Sequence, residues 1–187
     1  MISLSDQRTI ARILKVNHAG EFGAIRIYRA QLSIARWRLP ELVPFLAETL
    51  SHEITHCQHF LDAMPDRQTR PCAAMSLWGI GGFVLGLFTA LIGRNAVMAC
   101  TKAVEQTVHR HLEEQIHFLT GKDEMLKTLI TTIQIEEKAH LSYANAHLRP
   151  SAFNAPLEAV IIFSTEIVIW LSTQGAVSRM EKAIRRN

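Results

Sequence analysis

The sequence predicts an all-α protein, a bundle assembled from two duplicated helical hairpins. Apolar residues recur at helical spacing along nearly the whole chain, without strand-like alternation. The 9 glycines and 6 prolines are too few for a many-turned β-sandwich or a flexible linker. A glutamate followed 32 residues later by E-x-x-H occurs twice, the two copies offset by 84 residues. With 48% apolar and 20% charged residues over 187 positions, the chain can bury a sizeable core and is not disordered. Its net charge of +3 is too mild to argue for nucleic acid and suits one basic patch against an anionic surface. Cys57, Cys72 and Cys100 are widely spaced, which makes neither a disulfide framework nor a Cys-based zinc site and points to a reducing compartment. The N-terminus reads directly into a helix, so no signal or transit peptide is expected.

Taken in order, Ile10, Ile13, Leu14, Ile25, Tyr28 and Leu32 place a first helix from Ser5 to about Arg38. Pro40 ends it and fits the first turn of a second helix running to about Met64, which completes a first repeat over 5–64. Pro65 and Pro71 bracket a polar loop, and residues 71–93 follow as an uncharged insertion. Gly93 and Asn95 precede a helix from about Ala96 to Thr120, and Gly121 closes it. Lys122 to about His147 forms its partner, so the second repeat covers 96–147. Pro150 stops that helix, and a last one is expected over about 156–184. The whole of 1–187 reads as a single domain.

The repeat carries the chemistry. Glu21 precedes Glu53-x-x-His56, and Glu105 precedes Glu137-x-x-His140. Residues i and i+3 share a helix face, so each E-x-x-H can offer a carboxylate and an imidazole to one metal centre. One Glu from each of two helices plus E-x-x-H from each of the other two is the ligand set of di-iron and di-manganese carboxylate bundles. Oxygen and imidazole donors suit iron or manganese, whereas structural zinc would favour thiolates. The candidate ligands lie on apolar stripes: Glu137 with Ile130, Ile133, Leu141 and Ala144, Glu105 with Met98, Val108, Leu112 and Ile116, and Glu21 with Leu14 and Ile25. Burying four carboxylates without partners would cost roughly several kcal/mol each, a cost that two cations remove. One E-x-x-H alone is most often a solvated helix face; two with matched upstream glutamates are not an accident of composition. His52 and His59 have no histidine counterpart in the second half and are expected to face solvent or loops. His109 and His111 follow Glu105; His111 reads either as an outer partner of the ligands or as an ordinary bundle histidine. Tyr28, two turns beyond Glu21, reads either as a hydrogen-bonding neighbour of the metals or as core.

Residues 71–93 are long and apolar enough to cross a bilayer. A single crossing would divide Glu21, Glu53 and His56 from Glu105, Glu137 and His140, so the segment must return to the side it left. Gly79, Gly81, Gly82 and Gly86 suggest a short helix with a bend, lying in a membrane interface; a buried hydrophobic cover is the competing reading. The last helix is too apolar all round to be solvated, although Glu158 and Glu166 oppose a span. Arg36, Arg38 and Trp37, with Arg179, Lys182, Arg185 and Arg186 at the far end, can meet lipid head groups or simply be solvated.

With these residues in view, the sequence resembles the demethoxyubiquinone hydroxylase family, membrane-bound ferritin-like di-iron enzymes of ubiquinone biosynthesis. The resemblance rests on NHAGEFGAIRIYRAQ (17–31), both E-x-x-H motifs and LWGIGGFVLGLFTALIGRNAVMACTKAVE (77–105), and it extends from about residue 10 to 175. It implies a monooxygenase that hydroxylates a polyprenylated methoxy-benzoquinol with O2 and two electrons. By the same resemblance, Glu21 and His56 ligate one iron, Glu105 and His140 the other, and Glu53 and Glu137 bridge them. It further implies peripheral attachment to the cytoplasmic face of a bacterial plasma membrane or the matrix face of the inner mitochondrial membrane. A homo-oligomer or a ubiquinone-biosynthesis accessory protein would be the partner, with no nucleic acid. There are three departures from the family pattern: Asn17 in place of Asp, Leu112 in place of Tyr, and the stretch Leu50-Ser51-His52 where acidic residues often crowd. The competing functions are another ferritin-like oxidase or peroxidase and a non-catalytic quinone- or lipid-binding scaffold.

Overall fold

A computed structural model describes residues 2–173. Ser3 accepts the amide of Asp6 with its side chain and so starts α1 (Leu4–Arg38). Leu39 breaks this helix, and Pro40–Leu42 forms one 3-10 turn before α2 (Val43–Asp62), three residues later than the sequence predicts. A second short 3-10 turn, Pro65–Arg67, leads toward α3 (Met75–Ile92). Gly93, at φ 130°, is the one residue between α3 and α4 (Arg94–Leu119), a reversal that a side chain would strain. Asp123 caps α5 (Glu124–His147) by accepting the Leu126 amide, and Arg67 clamps the same carboxylate through two hydrogen bonds of 2.6 and 2.8 Å. The last described helix is α6 (Asn154–Thr173). The remainder of the predicted 156–184 helix, with Arg179, Lys182, Arg185 and Arg186, lies outside the described residues.

Among the described residues the fold is all helical. Helices α1 and α2 form one hairpin, and α4 and α5 form the other. The hairpins close on each other around two apolar clusters. One contains Ile13, Leu14, Phe60, Leu112, Leu126 and Ile130; the other contains Tyr28, Leu32, Leu46, Val97 and Met98. Helix α6 packs along α4, where Lys102 pairs with Glu158 and Arg110 with Glu166. Both pairs are 56 residues apart, so the two helices run parallel. The two glutamates that oppose a membrane span thus point their charges at α4.

The apolar segment differs from its expectation. Residues 75–92 are one unbroken helix packed along α1, not a short helix with a bend. Gly79, Gly82 and Gly86 fall on one face and are buried there, so they bring two backbones together instead of loosening α3. A Cβ on Gly82 would stand 2.3 Å from the carbonyl oxygen of Gly23, and one on Gly86 would stand 2.3 Å from that of Ile27. A Cβ on Gly81 meets nothing. Gly86→Val is therefore expected to cost about 1–3 kcal/mol or more through overpacking, whereas Gly81→Ala should be neutral or stabilising by up to about 1 kcal/mol. Thermal melts of the two variants would check this, and equal melting temperatures would refute the close-approach account.

Candidate metal centre

Each of the four central glutamates sits between buried apolar residues seven positions away on either side. The sets are Leu14/Glu21/Tyr28, Leu46/Glu53/Phe60, Met98/Glu105/Leu112 and Ile130/Glu137/Ala144. Seven residues is about two helical turns, so burying these stripes carries the four carboxylates to one level inside the bundle. The structure brings all six sequence-predicted site residues together there. Glu21, Glu53, His56 and Glu137 form one group of converging donor atoms, and Glu53, Glu105, Glu137 and His140 form a second. Glu53 and Glu137 belong to both groups. All six side chains are buried.

The imidazoles present Nδ1 to the centre. His56 Nδ1 lies 3.0 Å from Glu137 and 3.8 Å from Glu21, while His140 Nδ1 lies 3.6 Å from Glu53, 3.6 Å from Glu137 and 4.0 Å from Glu105. Both Nδ1 atoms, with one oxygen each of Glu53 and Glu137, are buried without an aligned hydrogen-bond partner. Four orphaned ligand atoms converging in the interior fit a cation, since among the described residues none has an aligned hydrogen-bond partner. The donor set is carboxylate and imidazole without thiolate, which suits iron or manganese.

Electrostatics tells the same story. Burial, followed by repulsion from the neighbouring carboxylates, pushes Glu53 and Glu105 well above the usual carboxylate range. Burial also acts to raise Glu137, but its close polar contacts with Glu105, His140 and His56 outweigh it and hold this carboxylate below its ordinary value. Burial acts to lower His56, yet Glu137 and Glu21 pull it up to about 11. Without metal, the cluster thus stores protons that a cation would replace.

Outer contacts resolve several open readings. Tyr28 is not merely core: its hydroxyl donates to Glu105 at 2.5 Å. His52 is not a solvent- or loop-facing residue, because its Nδ1 lies 3.0 Å from His140 Nε2. His59 is exposed. Sequence reasoning missed Glu136, whose carboxylate accepts from His56 Nε2 at 2.8 Å. Its signal was positional: Glu136 stands 84 residues after His52, each immediately before an E-x-x-H glutamate. His111 touches no ligand and instead faces Glu166 on α6 at 3.1 Å. Asn17 and Gln115 exchange two hydrogen bonds of 2.7 and 3.0 Å.

A cavity of about 540 Å³ opens beside the centre. Glu21, Glu53, Glu105 and Glu137 line its floor, while the two histidines lie behind them. Helices α3 and α6 form its walls with Leu77, Trp78, Leu85, Phe88, Ile161 and Val168, and Asn17, Gln115 and His111 add polar edges. Among the described residues, α3 exposes seven large apolar side chains and α6 exposes four, and Leu77, Val84, Phe88 and Val160 of these also line the cavity. Arg38 meets this edge by donating to the Leu91 carbonyl beside exposed Trp37.

Fold and site together define a helical-bundle protein with a buried carboxylate–histidine centre that can hold metal and is reached through an apolar cavity. The chain belongs to the family described as "Ubiquinone biosynthesis protein COQ7", whose model matches residues 8–172. It is 39% identical over 166 residues to the 3-demethoxyubiquinol 3-hydroxylase of Rhodospirillum rubrum, covering 87% of this chain and 77% of that protein. It is 35% identical over 170 residues to the human mitochondrial NADPH-dependent 3-demethoxyubiquinone 3-hydroxylase, covering 87% and 76% of the two chains. It is also 35% identical over 162 residues to the mitochondrial 5-demethoxyubiquinone hydroxylase of Saccharomyces cerevisiae, covering 78% and 70%.

Proposed function

We propose that this protein is a di-iron monooxygenase that hydroxylates a polyprenylated demethoxyubiquinol in ubiquinone biosynthesis. The observation that carries this reading is the apolar cavity with four buried carboxylates as its floor. A ferritin-like iron oxidase has no use for such a cavity, whereas a quinol head with a long apolar tail needs one. The chain acts as one functional unit, each hairpin supplying one glutamate and one E-x-x-H. Glu21 and His56 would hold one iron and Glu105 and His140 the other, with Glu53 and Glu137, which belong to both donor groups, shared between them. Bound iron supplies the redox chemistry of O2, and two electrons and two protons from a reductant balance the second oxygen atom as water.

The protein's own contribution is placement and dryness. Walls from α3 and α6 exclude water and direct the aromatic ring toward the carboxylate side of the centre. The Asn17–Gln115 pair and His111 offer polar edges to the hydroxyl and methoxyl groups of the ring. The exposed apolar faces of α3 and α6 rest in the lipid interface, so that a tail too insoluble for water enters sideways from the bilayer. Trp37 and Arg38 flank that face at head-group level. The bundle then sits on the aqueous side, cytoplasmic in a bacterium or matrix in a mitochondrion.

The test is a single-turnover experiment on reduced, iron-loaded protein given a short-tailed demethoxyubiquinol, a chemical reductant and ¹⁸O2. About two irons per chain and one ¹⁸O in the product are expected. Iron that oxidises while the quinol stays unchanged would replace this reading with a ferritin-like oxidase.

A further inference from the structure

Resting on the two-metal reading above, we infer that the two metal positions are unequal, with the Glu21/His56 position the tighter, because the 84-residue repeat is broken at the outer contacts. The repeat places residues 52 and 136 at corresponding points on α2 and α5. Each reaches across the bundle to the ligand histidine of the other hairpin. Glu136 accepts from His56 Nε2 at 2.8 Å, whereas His52 faces His140 Nε2 at 3.0 Å. The residue type differs, and so does the chemistry. With Nδ1 on a metal, the Nε2 proton of His56 meets a full negative charge, which makes that imidazole a stronger donor. The Nε2 proton of His140 meets only the lone pair of a neutral ring.

A second pair breaks in the same direction. Residues 28 and 112 are also 84 apart. Tyr28 donates its phenol hydrogen to Glu105 and withdraws charge from that carboxylate. Its counterpart Leu112 has no hydroxyl to donate, so Glu21 receives no corresponding phenol hydrogen bond. Both breaks leave more electron density at Glu21 and His56 than at Glu105 and His140. Because Glu53 and Glu137 belong to both groups, the bridging carboxylates do not offset the difference. Glu136 and His52 are positioning residues: they touch the ligands and set how strongly each position holds a cation.

The test is an anaerobic titration of the metal-free full-length chain with Co²⁺ alone, followed by its visible absorption and by calorimetry. Two steps are expected, the first tighter by at least about 10-fold, the scale on which a partner outside the ligands alters metal affinity. Glu136→Gln keeps the shape and removes the charge; it should weaken the first step about 10–100-fold and leave the second within about 3-fold. His52→Glu restores the repeat and should instead tighten the second step, a gain that misfolding cannot imitate. Two indistinguishable steps in the unmodified protein would overturn the inference while leaving the two-metal reading intact. So would equal weakening of both steps by Glu136→Gln. Failure to bind Co²⁺ at all would overturn the inference together with the ligand assignment beneath it.

Discussion

Glu137→Ala is expected to abolish turnover and reduce bound metal by more than about 100-fold, while the helix content stays near that of the unmodified protein. Glu137 belongs to both groups of converging donors, so its loss removes a ligand from each position at once. It is also the carboxylate toward which both Nδ1 atoms point, at 3.0 Å from His56 and 3.6 Å from His140. The effect should fall on the centre and spare the helix. Alanine is the best helix former, and the position lies mid-helix in α5 between buried Ile133 and His140. Metal analysis, product formation and far-ultraviolet circular dichroism on one preparation decide the matter. Unchanged turnover would refute the bridging role.

The second large effect is on stability. Metal-free protein should melt at progressively lower temperature as the pH rises from about 5 to about 8, the reverse of a typical domain paired through surface carboxylates. The sign follows from three groups. Glu53 and Glu105 have folded values well above the ordinary carboxyl value of 4.5, so their contribution is present below that pH and is lost as the pH rises toward the folded values. His56, raised from 6.5 to about 11, adds a contribution that is likewise lost above 6.5. Glu137 is held below its ordinary value; its contribution is in place above 4.5 and is lost only on acidification. Cations replace the stored protons, so metal stabilisation should grow with pH. At 100-fold excess over the dissociation constant, two cations add about 5 kcal/mol, or about 10–20 °C in melting temperature for a chain of this size. Differential scanning calorimetry with and without Fe²⁺ or Mn²⁺ measures both trends. A metal-free melting temperature that is flat or rising over this range would contradict the buried-cluster electrostatics.

Legibility from sequence divides along physical lines. Among the described residues, the boundaries expected for the helices of the two hairpins and the start of the last helix fell within about three residues, because Pro40 and Pro150 act locally through a fixed φ and a missing N–H, and Gly93 and Gly121 through access to positive φ. The six central residues were legible because i,i+3 spacing forces neighbours onto one face and the 84-residue offset repeats the arrangement. The glycines of α3 were misread. Their spacing at 79, 82 and 86 carried the signal of a packing face, but glycine also loosens helices, and only the carbonyls of Gly23 and Ile27 beneath them distinguish the two. His52 was misread for a related reason. His52 and Glu136 occupy equivalent positions of the repeat, but a histidine matched to a glutamate carries no identity for the repeat to display.

By itself, then, the sequence determined the all-helical class, the hairpin order and the four glutamates and two histidines that converge. Each of these follows from short-range periodicity or from a pattern that recurs along the chain. Tertiary structure alone decided that Nδ1 and not Nε2 faces the centre, and that Tyr28 reaches Glu105. It alone decided that Glu136 and His52 cross to opposite histidines, and that α3 and α6 wall a cavity ending on four carboxylates. The Tyr28–Glu105, Glu136–His56 and His52–His140 contacts join residues 77 to 88 positions apart, and such pairings depend on how whole helices dock, which no local spacing encodes.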